Sequence, residues 1–192
     1  MNRLIAINRR RDIPKEYRNT PVGLLLEYHN LGRPFDEWAG APLLIGMCMD
    51  NRKRLRIPDN FAFVLRSGGA NLQFSGFKVA YAISVGGVRA IALIGHTHCG
   101  MVNLQERRDL FVRGMVEGAG WKLKRAREYF KRQIPTHEIG NEIDFILSEV
   151  QRLRKQYPRI LVMPLLYQVE DRHLYVIRET NQKAPKRRST KR

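Results

Sequence analysis

Pro42-Leu43-Leu44-Ile45-Gly46-Met47 is an apolar run of strand length that ends in Cys48-Met49-Asp50-Asn51-Arg52. Ala90-Ile91-Ala92-Leu93-Ile94-Gly95 follows the same plan and ends in His96-Thr97-His98-Cys99-Gly100. Continuous apolar runs suit strands covered on both faces, as in a parallel sheet flanked by helices. Ligand sites in such sheets lie beyond the carboxyl ends of the strands, where both polar motifs fall. Cys48 and His96 are 48 residues apart. Two strand ends in one sheet would bring them together.

Both cysteines of the chain lie in these motifs. A zinc ion held by Cys48, Cys99 and an imidazole of the 96–99 segment would keep its fourth position for water. That is the layout of a catalytic zinc site, whereas a structural zinc is enclosed by four protein ligands. With both thiols assigned to metal, none is left for a disulfide, and a reducing cytoplasm is the expected compartment.

Working outward, Thr20-Pro21 reads as an N-cap followed by proline at the first helical position, opening a helix over 22–31. Leu24, Leu25, Leu26, Tyr28 and Leu31 make this helix apolar enough to be expected against a partner subunit. A strand over 61–65 and a helix over 74–85, closed by Gly86-Gly87, complete a strand-helix-strand unit with 90–95. Helices are expected over 103–117, 121–133 and 137–156, with Gly118, Gly120 and Pro135 as the breaks. In the last, Ile139, Ile143, Ile146, Leu147, Val150 and Leu153 recur at helical spacing. Strands over 160–166 and 174–178 close the pattern, the latter expected at a sheet edge. The fold class is therefore α/β: a mainly parallel sheet of four to five strands flanked by helices.

The 192 residues carry 35 Lys and Arg against 18 Asp and Glu, a net charge of +17. A chain of this length is expected to form one domain, here 1–180. Residues 181–192 hold Lys183, Lys186, Arg187, Arg188, Lys191 and Arg192 without an apolar cluster, a composition expected to stay disordered and suited to a polyanionic partner. Further basic concentrations stand at Arg52-Lys53-Arg54 with Arg56, and from Lys122 to Arg132. No apolar run reaches the roughly 20 residues of a membrane span, and the amino terminus has no secretory pattern.

Cys48-x-Asp50-x-Arg52, Arg66-Ser67-Gly68-Gly69 and Gly95-His96-Thr97-x-Cys99-Gly100, in this order, resemble the β-class carbonic anhydrases. The resemblance extends over the order of elements from about residue 20 to 178. It implies Zn2+ on Cys48, His96 and Cys99, favours His96 over His98 as the imidazole ligand, and matches Asp50 and Arg52 to the catalytic dyad. Two thiolates neutralise the ion's formal charge, so water at such a zinc ionises less readily than at a site of three histidines. Asp50 would accept a hydrogen bond from that water, and Arg52 would hold Asp50 away from the fourth position.

The implied activity is the reversible hydration of carbon dioxide to bicarbonate by hydroxide generated at zinc, in a cytoplasmic homodimer or larger homo-oligomer. Gly68, Gly69 and Gly100 would shape the floor of the substrate site, Arg66 would support the turn or a subunit contact, and His98 offers a proton relay. His29, His137 and His173 have no ligand-like neighbours and receive no role. Asn51 stands where serine is common, the 67–71 loop reads Ser-Gly-Gly-Ala-Asn, and a glutamine common before the first strand has no counterpart. Carbon disulfide or carbonyl sulfide hydrolysis on the same ligands, and a non-catalytic zinc protein that uses its basic surface, remain open.

Overall fold

The computed structural model describes residues 3–179. The basic segment 181–192 lies outside them. The described residues form a sheet of six strands: β1 (Leu4–Ala6), β2 (Leu43–Cys48), β3 (Ala62–Ser67), β4 (Ala90–His96), β5 (Leu161–Tyr167) and β6 (Leu174–Ile177), in the order β1-β6-β5-β4-β2-β3. Strands β3, β2, β4 and β5 run parallel, and β6 and β1 add antiparallel pairs. Five helices accompany it: α1 (Pro21–Asn30), α2 (Gly76–Ser84), α3 (Arg108–Glu117), α4 (Leu123–His137) and α5 (Glu142–Gln156).

Side chains alternate across the two faces of the sheet, as the pleat requires. Leu43, Ile45, Met47, Ala92, Ile94, Met163 and Leu165 face α1, while Leu44, Ile91, Leu93, Val162 and Leu166 face α2 and α5. Every residue of β2 and β4 is buried, which explains their unbroken apolar sequence. At α1, Thr20 Oγ1 accepts from the Gly23 amide at 3.3 Å, with Pro21 at the first helical position.

The sequence expectation for α1 needs correction. Val22, Leu25, Leu26 and Tyr28 are fully buried against this chain's own sheet, so the apolar character of the helix is accounted for without a partner subunit. The edge assignment of the last strand is also corrected. Leu4, Ile5 and Ala6 pair with Ile177, Val176 and Tyr175, placing β6 inside the sheet and β1 at its border. A three-residue strand has too short a pattern to be legible in sequence.

Two helix boundaries shift for local reasons. Asn141 Oδ1 accepts from the amides of Ile143 and Asp144 at 3.0 and 3.1 Å, so α5 starts there, not at 137. Ile139 consequently leaves the expected helical stripe and forms a parallel bridge with Val102. Pro135 lies within the last turn of α4 instead of ending it, and Glu138 N caps the turn on Ile134 O at 2.9 Å.

His29, without a role from sequence, joins three segments. Its Nδ1 accepts from the Arg56 amide at 3.0 Å, which leaves Nε2 to donate to Arg172 O at 2.9 Å. Burial pushes its pKa below the ordinary value, opposed by the bond to Arg172 O. A depressed imidazole pKa means that the unfolded chain binds the proton more readily. The contribution to stability is full above the unfolded pKa of about 6.5 and is lost as pH falls below it. The unfolding temperature should therefore fall as pH is lowered through about 6.5, and His29→Gln should flatten that fall. An unchanged pH dependence in the variant would remove His29 from this linkage.

Candidate metal centre

Strands β2 and β4 are parallel neighbours, with Met47 opposite Ile94. Their carboxyl ends consequently deliver Cys48 and His96 to the same end of the sheet. The turn after β4 returns Cys99, whose amide donates to Glu142 Oε1 at 3.2 Å and whose carbonyl accepts from Val102 N at 3.1 Å. The ligand atoms of Cys48, His96 and Cys99 all lie within 4.8 Å of one another, and all three residues are buried. His98 is outside this group. Its Nε2 lies 2.6 Å from Glu170 Oε1, and its side chain is 73% exposed.

The donor set suits zinc in three ways. Cys48 Sγ and Cys99 Sγ are 4.0 Å apart and unbridged, whereas two thiolates on a tetrahedral zinc at about 2.3 Å stand about 3.8 Å apart. His96 Nδ1 lies 2.9 Å from Thr97 O, a group that only accepts, so Nδ1 carries the hydrogen and Nε2 presents its lone pair. That Nε2 is buried without a hydrogen-bond partner, a costly arrangement that a metal ion would relieve. Finally, the two thiols are biased in opposite directions. The hydrogen bond from Cys99 lowers the Cys48 pKa, helped by His96 and by the amides of Asp50 and Gly69, while the same bond and burial raise Cys99.

Asp50 and Arg52 are paired through both carboxylate oxygens. Arg52 Nε lies 3.0 Å from Oδ1, Nη2 lies 2.7 Å from Oδ2, and the Arg52 amide adds 2.9 Å to Oδ1. Nη2 also donates to His98 O at 2.9 Å, which anchors the guanidinium across the two ligand loops. The Arg52 contact holds the Asp50 carboxyl well below its usual range. Asp50 Oδ2 is 4.0 Å from His96 Nε2, so the carboxylate borders the space in which the three ligand atoms converge.

The glycine loop lies beneath Cys48. Gly69 has φ +62, and a β-carbon there would approach Ile139 side-chain atoms to 3.2 Å. Glycine thus permits both the left-handed backbone and the amide contact with the thiolate. A β-carbon at Gly68 would meet Met101 Sδ at 3.0 Å, whereas one at Gly100 would meet nothing within 4 Å. Arg66 supports the turn: its guanidinium reaches the carbonyls of Cys48, Asp50 and Lys53 at 3.3 to 3.4 Å.

Lys53 was missed as a site residue because it stands in Arg52-Lys53-Arg54, which reads as a solvated charge run. Its side chain is 0% exposed, and Nζ donates to Asp50 O at 3.0 Å. Glu142 was missed because it reads as an ordinary acidic residue in a helical first turn. No sequence signal would have separated either from surface charge.

No family model matches the chain, and no curated protein matches it. Solved structures do. A carbonic anhydrase from Glaciozyma antarctica is 23% identical with a TM-score of 0.55, covering 71% of this chain and 83% of that one. β-Carbonic anhydrase isoform I from Trichomonas vaginalis is 18% identical with a TM-score of 0.59, covering 77% and 90%. A carbon disulfide hydrolase is 20% identical with a TM-score of 0.51, covering 88% and 93%. The chain shares their α/β fold.

Proposed function

We propose that this chain is a β-class carbonic anhydrase that converts carbon dioxide and water reversibly to bicarbonate and a proton. The observation that carries the proposal is the buried Cys48–His96–Cys99 triad with an Arg52-held carboxylate 4.0 Å from the free His96 nitrogen. A non-catalytic zinc protein would need no such carboxylate. Bound zinc would supply a Lewis acid and a water acidified enough to act as nucleophile near neutral pH.

The protein's own groups do the rest. Asp50 Oδ2 accepts the hydrogen of the attacking oxygen and directs its lone pair at the carbon of carbon dioxide. Arg52 fixes the carboxylate through its paired contacts, so little reorientation is needed during attack. As the new C–O bond forms, one C=O π pair moves onto oxygen; bicarbonate departs and the water's proton passes to buffer. The reduced thiols fit a cytoplasmic setting.

The same ligands suit linear sulfur analogues, and the structural likeness to a carbon disulfide hydrolase keeps that substrate class as the competitor. Stopped-flow assays on zinc-quantified protein decide between them. Carbon dioxide hydration should depend on zinc and rise with pH over about 6.5 to 9, and Asp50→Asn should lower kcat by about 10²-fold or more. Turnover only on carbonyl sulfide or carbon disulfide would select the competitor. Absence of turnover on all three at full zinc occupancy would select a non-catalytic role.

A homodimer forms part of the proposal, supported by a surface other than α1. Strand β3 is a sheet border, and Phe63, Val64, Phe77, Tyr81 and Val85 on β3 and around α2 are exposed apolar residues. Unpaired strand borders with apolar neighbours favour pairing with a second copy about a twofold axis. Light scattering at micromolar concentration should give a dimer that Val64→Lys converts to monomer. A monomeric parent protein would overturn the assembly.

A further inference from the structure

The Asp50–Arg52 pair has a second support on its inner side. Lys53 Nζ donates to Asp50 O at 3.0 Å and lies 3.9 Å from Asp50 Oδ1, with its side chain wholly buried. Arg66 Nη1 reaches the same Asp50 carbonyl at 3.3 Å and Nη2 reaches Lys53 O at 3.4 Å. The backbone of residues 50–53 is therefore held by the buried Lys53 ammonium and by the exposed Arg66 guanidinium, while Arg52 binds the Asp50 carboxylate.

A buried ammonium is expensive unless nearby negative charge compensates it. Burial lowers the Lys53 pKa, and the charges of Cys48 and Asp50 oppose that shift. Asp50 Oδ2 also lies 4.0 Å from His96 Nε2, so an unrestrained carboxylate there would compete for a fourth position on a metal held by the triad.

We infer that Lys53 is a positioning residue: it fixes the backbone and charge of Asp50 so that the carboxylate borders the metal site without entering it. The inference rests on the proposed zinc site and goes beyond it, because Arg52 alone would leave the Asp50 carbonyl and the inner side of the turn without this buried cation. Lys53 also adds positive charge within electrostatic reach of Cys48 and Cys99, which weakens the attraction of their thiolates for a cation.

Lys53→Met tests this, since methionine fills similar space without charge. Chelator competition should show zinc held about tenfold more tightly than in the parent protein, with slower turnover. A zinc-loaded crystal structure of the variant should place an Asp50 oxygen on the metal. A merely structural lysine would give the opposite sign, weaker zinc retention and a lower Tm. Arg54→Met, which removes the adjacent exposed cation, should leave zinc affinity unchanged.

Unchanged or weaker zinc affinity in Lys53→Met, with Asp50 still bordering the site, would overturn the inference. If that variant fails to fold, the zinc-loaded parent structure decides. Lys53 Nζ on Asp50 O, with the carboxylate off the metal, supports the inference; Lys53 turned away from Asp50 overturns it. A parent protein that binds zinc without hydrating carbon dioxide would overturn the proposed function and leave the affinity test intact, whereas one that binds no zinc would overturn both.

Discussion

The parallel register between β2 and β4 is the constraint on which the site depends. Because Met47 stands opposite Ile94, Cys48 and His96, the last residues of their strands, lie at the same end of the sheet. Cys48 and His96 then converge without a long loop between them, and Cys99 needs only a turn of three residues to join. Packing holds that register, since alternate side chains of both strands fill places in two separate apolar layers. The same packing leaves His96 Nε2 buried without a hydrogen-bond partner.

Electrostatics sets the rest of the site. In the proposed reaction, two thiolates would attract a divalent cation but also soften its effect on bound water, so a hydrogen-bond acceptor aimed at the nucleophile would be needed. Asp50 can serve only if it is ionised and restrained. Arg52 supplies both conditions through charge-assisted contacts. Arg66 and Lys53 act on the backbone of the same turn, so three cations hold the turn that carries Asp50 beside the ligand triad. Part of the chain's large positive charge is therefore committed to the site.

Much of this was legible because β2 and β4 carry unusually plain signals. Their apolar runs indicated the α/β class and the sheet end that carries both cysteines and the 96–99 segment, and the family resemblance favoured His96 over His98 as the imidazole. The pairing of Asp50 with Arg52 was implied by that resemblance, and the structure brings the two side chains together. What stayed hidden was set by tertiary contacts. β1 is a strand because β6 offers it a partner, not because three residues encode one. The apolar face of α1 covers its own sheet, although its composition alone fits a subunit contact equally well. Lys53 lies in a basic run yet is buried, because Asp50 and the thiols compensate its charge. Ile139 matched the α5 periodicity, but the Asn141 cap began the helix after it.

X-ray absorption at the zinc edge of the purified protein tests the central claim most directly. The account predicts two sulfur neighbours at about 2.3 Å and two nitrogen or oxygen neighbours at about 2.0 to 2.1 Å, from Cys48, Cys99, His96 and one exchangeable oxygen. The sulfur signal should disappear in the Cys48→Ser, Cys99→Ser double variant. A zinc shell without sulfur, or a parent protein that retains no zinc, would contradict it.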